Sequence, residues 1–170
     1  LSAAYRIEQE QGWVSLLAGD LQEHQIINAS VSGETTAGGL ARLPPLLDEI
    51  EPDWVLIELG GNDGLRGYPV QSIRENLQSM IEAVKATGAR PVIMEIMIPP
   101  NYGPRYSQAF QQIYSELADQ HEIPLIGFIL SDIALNTELM QDDGIHPNAE
   151  GSRVTAEAIW DVMVENCVAQ

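Results

Sequence analysis

The stretch Trp54-Val55-Leu56-Ile57-Glu58-Leu59-Gly60-Gly61-Asn62-Asp63-Gly64 decides the fold. Its apolar first half follows Pro52 and stops at paired glycines, which predicts a short strand over 54–59 ending in a polar turn. Upstream, Thr35 or Thr36 caps a predicted helix carrying Leu40, Leu43, Leu46, Leu47 and Ile50. Further upstream, Trp13, Leu16, Leu17 and Leu21 give Trp13 to His24 a helical period, and this helix feeds a predicted strand at Gln25–Asn28. Downstream, Pro69 sits at a predicted first helical turn, followed by Ile73, Leu77, Met80, Ile81 and Val84 on one face and a strand over Pro91–Ile96. A helix over Tyr106–Gln120, a fourth strand at Pro124–Phe128 and a closing helix over Ala149–Val168 complete the alternation. Strands separated by helices of this length predict an α/β fold, a parallel sheet with helices on both faces, with ligands bound beyond the carboxyl ends of the strands.

The chain has 170 residues, 45% of them hydrophobic and 19% charged, the balance of one globular domain over 1–170. No run approaches the roughly 18 apolar residues of a membrane helix, so no stable membrane insertion is expected. Eight Lys and Arg against 25 Asp and Glu leave a net charge of −17, a field that repels phosphate backbones and argues against a nucleic-acid partner. The acids are dispersed, as on a solvated surface. The single cysteine, Cys167, allows neither an intrachain disulfide nor a cysteine metal cluster.

Three loops hold the chemistry: Asn28-Ala29-Ser30-Val31-Ser32-Gly33-Glu34-Thr35, Gly60-Gly61-Asn62-Asp63-Gly64 and Asp142-Asp143-Gly144-Ile145-His146-Pro147. Gly33, ahead of a helix, can turn its N–H toward a ligand with no Cβ in the way, and Asn62 in a glycine-flanked turn can present a side-chain amide. Together they suit an oxyanion hole, although each alone is also an ordinary turn residue. His146 lies three residues after Asp143, close enough for the carboxylate to hold one imidazole nitrogen while the other faces a nucleophile. Asp142 competes for that orienting role. His24 and His121 sit at helix ends among polar neighbours and read as structural. A zinc site built on Asp142, Asp143 and His146 is disfavoured because no second His or Cys lies nearby. Phosphate-binding glycine motifs are missing, so neither metal nor cofactor is expected.

These loops resemble the motifs of the SGNH, or GDSL-type, hydrolases, in the branch of bacterial arylesterases similar to thioesterase I/protease I/lysophospholipase L1. The resemblance rests on Asn28–Gly33, on Leu59–Gly67, on Pro99-Pro100-Asn101-Tyr102-Gly103 and on Met140–Pro147, four motifs in family order across nearly the whole chain. It implies a flavodoxin-like three-layer α/β/α sandwich and a serine nucleophile in a Gly-Asp-Ser-Leu-Ser motif at the end of a first strand. Leu1-Ser2-Ala3-Ala4-Tyr5 looks like the second half of that motif, so the first strand and the nucleophile are expected upstream of Leu1. Ser2 matches the second serine, which the family does not use as nucleophile.

The resemblance further implies Gly33 and Asn62 as oxyanion donors, His146 as general base and Asp143 as its orienter. It places a mobile loop at Asp63 to Tyr68, including Gly64 and Leu65, over the acyl site, and Ile98, Pro99, Pro100, Tyr102 and Ile145 around it. The expected function is ester hydrolysis through an acyl-enzyme, on a small acyl ester or thioester, by a monomer in the bacterial periplasm or secreted. Taken literally, the 170 residues are expected to hydrolyse esters negligibly and to fold poorly, for want of nucleophile and strand. The alternative is a non-catalytic lipid- or carbohydrate-binding module on the same fold.

Overall fold

The computed structural model describes residues 1–20 and 24–163. In chain order its elements are α1 (Trp13–Asp20), α2 (Thr36–Ile50), β1 (Trp54–Ile57), α3 (Gly61–Leu65), α4 (Val70–Ala86), β2 (Arg90–Met94), α5 (Pro104–His121), β3 (Leu125–Ile126) and α6 (Ala149–Met163), with single 3-10 turns at Gln9–Gln11 and Pro100–Tyr102. By internal contacts they form two compact units, one made of Leu1–Ser32 and Ile129–Gln170, the other of Gly33–Phe128.

The unit Gly33–Phe128 holds the sheet. Its strands run parallel in the order β1-β2-β3, with Trp54 to Ile57 opposite Arg90 to Ile93 and Ile93–Met94 opposite Leu125–Ile126. The Arg90 guanidinium lies 4.9 Å over the Trp54 ring centroid, reinforcing the first register pair. Helices α4 and α5 bury the faces that the sequence pattern marks, through Ile73, Leu77 and Ile81 on one and Phe110, Ile113 and Leu117 on the other. Thr35 caps α2 by accepting from the Gly38 N–H at 3.2 Å, and Glu51 ends it in the left-handed region at φ 47°. In the other unit, Trp13, Val14 and Leu17 of α1 and Ala156 and Ile159 of α6 are buried, and α1 packs on α6.

Several boundaries correct the sequence reading. The strand expected at Gln25–Asn28 falls outside every strand: residues 25–30 are irregular, and the sheet is built from β1, β2 and β3. Instead the Asn28 side chain donates to the Ser2 carbonyl at 2.8 Å. The first helix is described over Trp13–Asp20; Leu21, expected on its apolar face, lies outside the described residues, and His24 lies in a bend. Pro69 is the residue before α4 rather than in its first turn, consistent with its lack of an N–H. The strands are shorter than expected, because Glu58 and Leu59 in one case and Glu95 and Ile96 in the next already turn into site loops. The end of the closing helix expected at 164–168 lies outside the described residues, as does Cys167.

Candidate active site

The expected glycine turn after β1 is a helix. Gly60, at φ 114°, lets the chain leave the strand beneath the Tyr114 hydroxyl, and the Gly64 N–H closes onto the Gly60 carbonyl at 2.8 Å. Winding residues 61–65 into α3 sends three side chains to the segment around Gly33. The Asn62 amide donates to the Glu34 carbonyl at 2.9 Å, which fixes its plane and leaves its second N–H for another acceptor. Arg66 donates to the Gly33 carbonyl at 3.3 Å. Asp63 accepts from the Thr36 N–H at 2.9 Å and from the Thr36 hydroxyl at 2.6 Å. Gly33 itself is exposed, with φ 77° and open space where a Cβ would stand.

Of the residues expected to wall an acyl site, Asp63 is 2% exposed and points inward to Thr36. Gly64 is buried too: a Cβ there would stand 2.7 Å from Ile98 and 2.9 Å from Phe110. Leu65 is tied through its carbonyl to the Tyr102 hydroxyl at 2.7 Å, and Tyr68 likewise to the Tyr106 hydroxyl at 2.6 Å. The segment 63–68 is thus anchored at several points to the Pro99-Pro100-Asn101-Tyr102 turn and to α5. Beside it, Val70, Tyr102, Arg105, Tyr106 and Ala109 line an apolar cavity of about 430 Å³.

In the other unit, Asp143 and His146 form one tight turn. Asp143 Oδ1 accepts from the backbone N–H groups of Ile145 at 2.9 Å and His146 at 3.0 Å, while its Oδ2 meets His146 Nδ1 at 2.9 Å. Burial alone would raise this carboxyl, but the two backbone donors and the imidazole outweigh it and hold Asp143 down to about 2. A carboxylate on Nδ1 makes that nitrogen the protonated one and leaves the Nε2 lone pair for chemistry. Asp142, the competing orienter, makes no hydrogen bond among the described residues. The imidazole is backed by the Tyr5 ring, centroid to centroid 4.5 Å at 37°. Gln141 bridges the Tyr5 carbonyl at 2.8 Å and the Pro147 carbonyl at 2.9 Å, and the Met140–Pro147 antiparallel bridge closes the loop. Ser2 is buried and holds Asn28 through its carbonyl.

Sequence reading missed Tyr5, Gln141 and the side-chain role of Thr36, because none of these types carries a motif of its own. The only available signal lay in their positions beside motif residues. Among the described residues no cluster of three or more His, Cys, Asp or Glu is placed to hold a metal ion.

Residues 2–154 match the GDSL-like Lipase/Acylhydrolase family. The chain is 48% identical to an arylesterase of Vibrio mimicus, over 98% of this chain and 85% of the relative. It is 46% identical to thioesterase 1/protease 1/lysophospholipase L1 of Escherichia coli K12, over 92% of this chain and 76% of the relative. Among solved structures, the psychrotrophic esterase EstA from Pseudoalteromonas sp., in a structure inhibited by monoethylphosphonate, superposes with a TM-score of 0.93 at 44% identity, covering 97% of this chain and 92% of that one.

Proposed function

The chain belongs to the GDSL-like lipase/acylhydrolase (SGNH) family and is a serine ester hydrolase of α/β fold, and from that premise we propose how its residues divide the chemistry. His146 is the general base, Asp143 its orienter, and Gly33 N–H with the Asn62 side chain the oxyanion donors. The nucleophile is a serine preceding Leu1, in the position the family motif gives it. His146 Nε2 takes the serine proton as the serine oxygen attacks the ester carbonyl. The carbonyl π electrons become the oxyanion, stabilised by the two donors, and collapse expels the alcohol or thiol, which receives the proton from His146. Water then repeats the sequence and releases the acid.

The observation that carries this reading is the Asp143–His146 pair at 2.9 Å, with the carboxylate held anionic and the second ring nitrogen left to act as base. A histidine in a plain binding module needs no such orientation. The substrate class we propose is small acyl esters and thioesters, in keeping with the arylesterase and thioesterase names of the relatives. Leu65, Ile98, Pro99, Tyr102 and Ile145 contact the substrate, whereas Asp63 and Gly64 shape the loop from within. The working form is a single-domain monomer of the bacterial periplasm or exterior, and no described helix is long and apolar enough to cross a membrane.

The test is p-nitrophenyl ester turnover by residues 1–170 alone and by the gene product carrying the expected serine. Turnover only in the second supports the assignment. Turnover by the first alone removes the upstream serine from the mechanism. Tight ester binding with no turnover by either favours the binding module.

A further inference from the structure

Within the unit Gly33–Phe128, the firmest tie between the Gly33 segment and α3 is made by a residue that reaches no surface. Asp63 and Thr36 are 2% and 0% exposed, and both carboxylate oxygens of Asp63 accept from Thr36, one from its N–H and one from its hydroxyl. The hydroxyl has a single proton. It is directed to Asp63 because the Asn76 amide, from α4, donates to the same oxygen at 3.0 Å. The Thr36 N–H, the Thr36 hydroxyl and both Asp63 oxygens therefore each have a partner, and buried polar groups that are satisfied in this way hold their elements rigidly.

The placement relative to the donors is the informative part. Asn62 ties α3 to the Glu34 carbonyl at 2.9 Å, and Asp63, the next residue, ties it to Thr36, two positions further along the same segment. Two adjacent residues thus grip two points of a segment 27 to 28 positions away, and Gly33 adjoins the first of those points. Without the Asp63 tie, the part-buried Asn62–Glu34 bond and the exposed Arg66–Gly33 contact at 3.3 Å would be left to hold α3 to the segment. With the buried Asp63–Thr36 pair in place, α3 and the stretch Glu34–Thr36 shift relative to one another only by breaking two buried hydrogen bonds. Oxyanion donors are effective only when preorganised, and a displacement of about 1 Å costs roughly 10²-fold in rate.

We propose that Asp63, acting through Thr36, is the positioning residue that locks Gly33 and Asn62 into one rigid donor frame; this rests on the donor roles given above. Asp63→Asn keeps the shape but replaces one acceptor with a donor, leaving one of the two Thr36 donors without an acceptor. Thr36→Val removes the hydroxyl, and Thr36→Ser retains it.

The experiment measures kcat and KM on a soluble aryl ester in the enzyme carrying its nucleophile, for Asp63→Asn, Thr36→Val, Thr36→Ser and Asn62→Ala, and for Asn62→Ala combined with Asp63→Asn. Asp63→Asn and Thr36→Val are expected to lower kcat roughly 10- to 100-fold with KM nearly unchanged, and Thr36→Ser to recover most of the loss. Asn62→Ala is expected to cost roughly 10²- to 10³-fold alone but about tenfold or less in the Asp63→Asn background, since a donor already misplaced has less to lose. A folded Asp63→Asn enzyme with parental kcat, or an equal Asn62→Ala cost in both backgrounds, overturns the positioning role. If Asn62→Ala alone leaves kcat untouched, the donor assignment fails first and the inference with it. Should Asp63→Asn fail to fold, the comparison of Thr36→Ser with Thr36→Val decides, equal kcat in the two overturning the proposal.

Discussion

The segment around Gly33, proposed to carry the oxyanion donors, and the Asp143–His146 turn are held in place by opposite means. Around Gly33, polar groups are fixed by partners 27 and 28 positions away, from inside the protein. Around His146, the orienting carboxylate lies three positions away and both side chains stay about a quarter exposed, at 26% and 25%. Local geometry makes the turn; only the completed fold joins the Gly33 segment to α3. Damage to the first should therefore be chemical with little loss of stability, and damage to the second should be felt in both.

The sharpest break is His146→Ala, which removes the proposed base and is expected to cut kcat by about 10⁴-fold or more while the thermal midpoint moves by no more than a degree or two; ester turnover and a melt measured on one preparation check this. Asp143→Asn should come next. It leaves the turn's backbone bonds an oxygen to use but no longer favours the productive imidazole tautomer, so a loss of roughly 10²- to 10⁴-fold is expected, visible in kcat and in the imidazole NMR signals.

Gly60→Ala probes the other region. Its φ of 114° strains any side chain, and the new Cβ would run into the Tyr114 hydroxyl, which donates to the Leu59 carbonyl at 3.0 Å. A destabilisation of about 2–4 kcal/mol is expected from strain and overpacking together, read as a fall of several degrees or more in Tm. An unchanged Tm would erase the contrast between the regions.

The smallest effect is in pH. Asp143 is held down to about 2 in the folded chain, below the value of about 4 of an unfolded aspartate. A depressed acid contributes stability above about pH 4 and loses it as pH falls through about 2. Melts between pH 4 and pH 2 should show that decline, and Asp143→Asn should flatten its share of it; an identical slope in the variant would remove the carboxylate from the linkage.

Much of the fold is visible in the periodicity of single segments. Ile73, Leu77 and Ile81 mark the buried face of α4 through their spacing alone, and the pair Thr35 and Thr36 marks the start of α2, the structure choosing Thr35 as the cap. Gln25–Asn28 shows the limit: its β-branched pair has strand propensity, but a strand is a relation between two segments, and propensity cannot supply the partner. The site divides the same way. Asp143 and His146 are readable as a pair because three residues of separation bring them within reach in any tight turn.

The sequence by itself determined the parallel α/β alternation and the short-range pairing of Asp143 with His146, both properties of neighbours along the chain. Tertiary structure alone decided that Asp63 turns inward to Thr36, that Tyr5 backs the imidazole and that the glycine turn after β1 winds into a helix. The first two depend on groups far apart in sequence meeting at hydrogen-bond or van der Waals distance, and such meetings are set by packing rather than by any local pattern; the helix after β1 is closed locally by Gly64 on Gly60, beneath the distant Tyr114 hydroxyl.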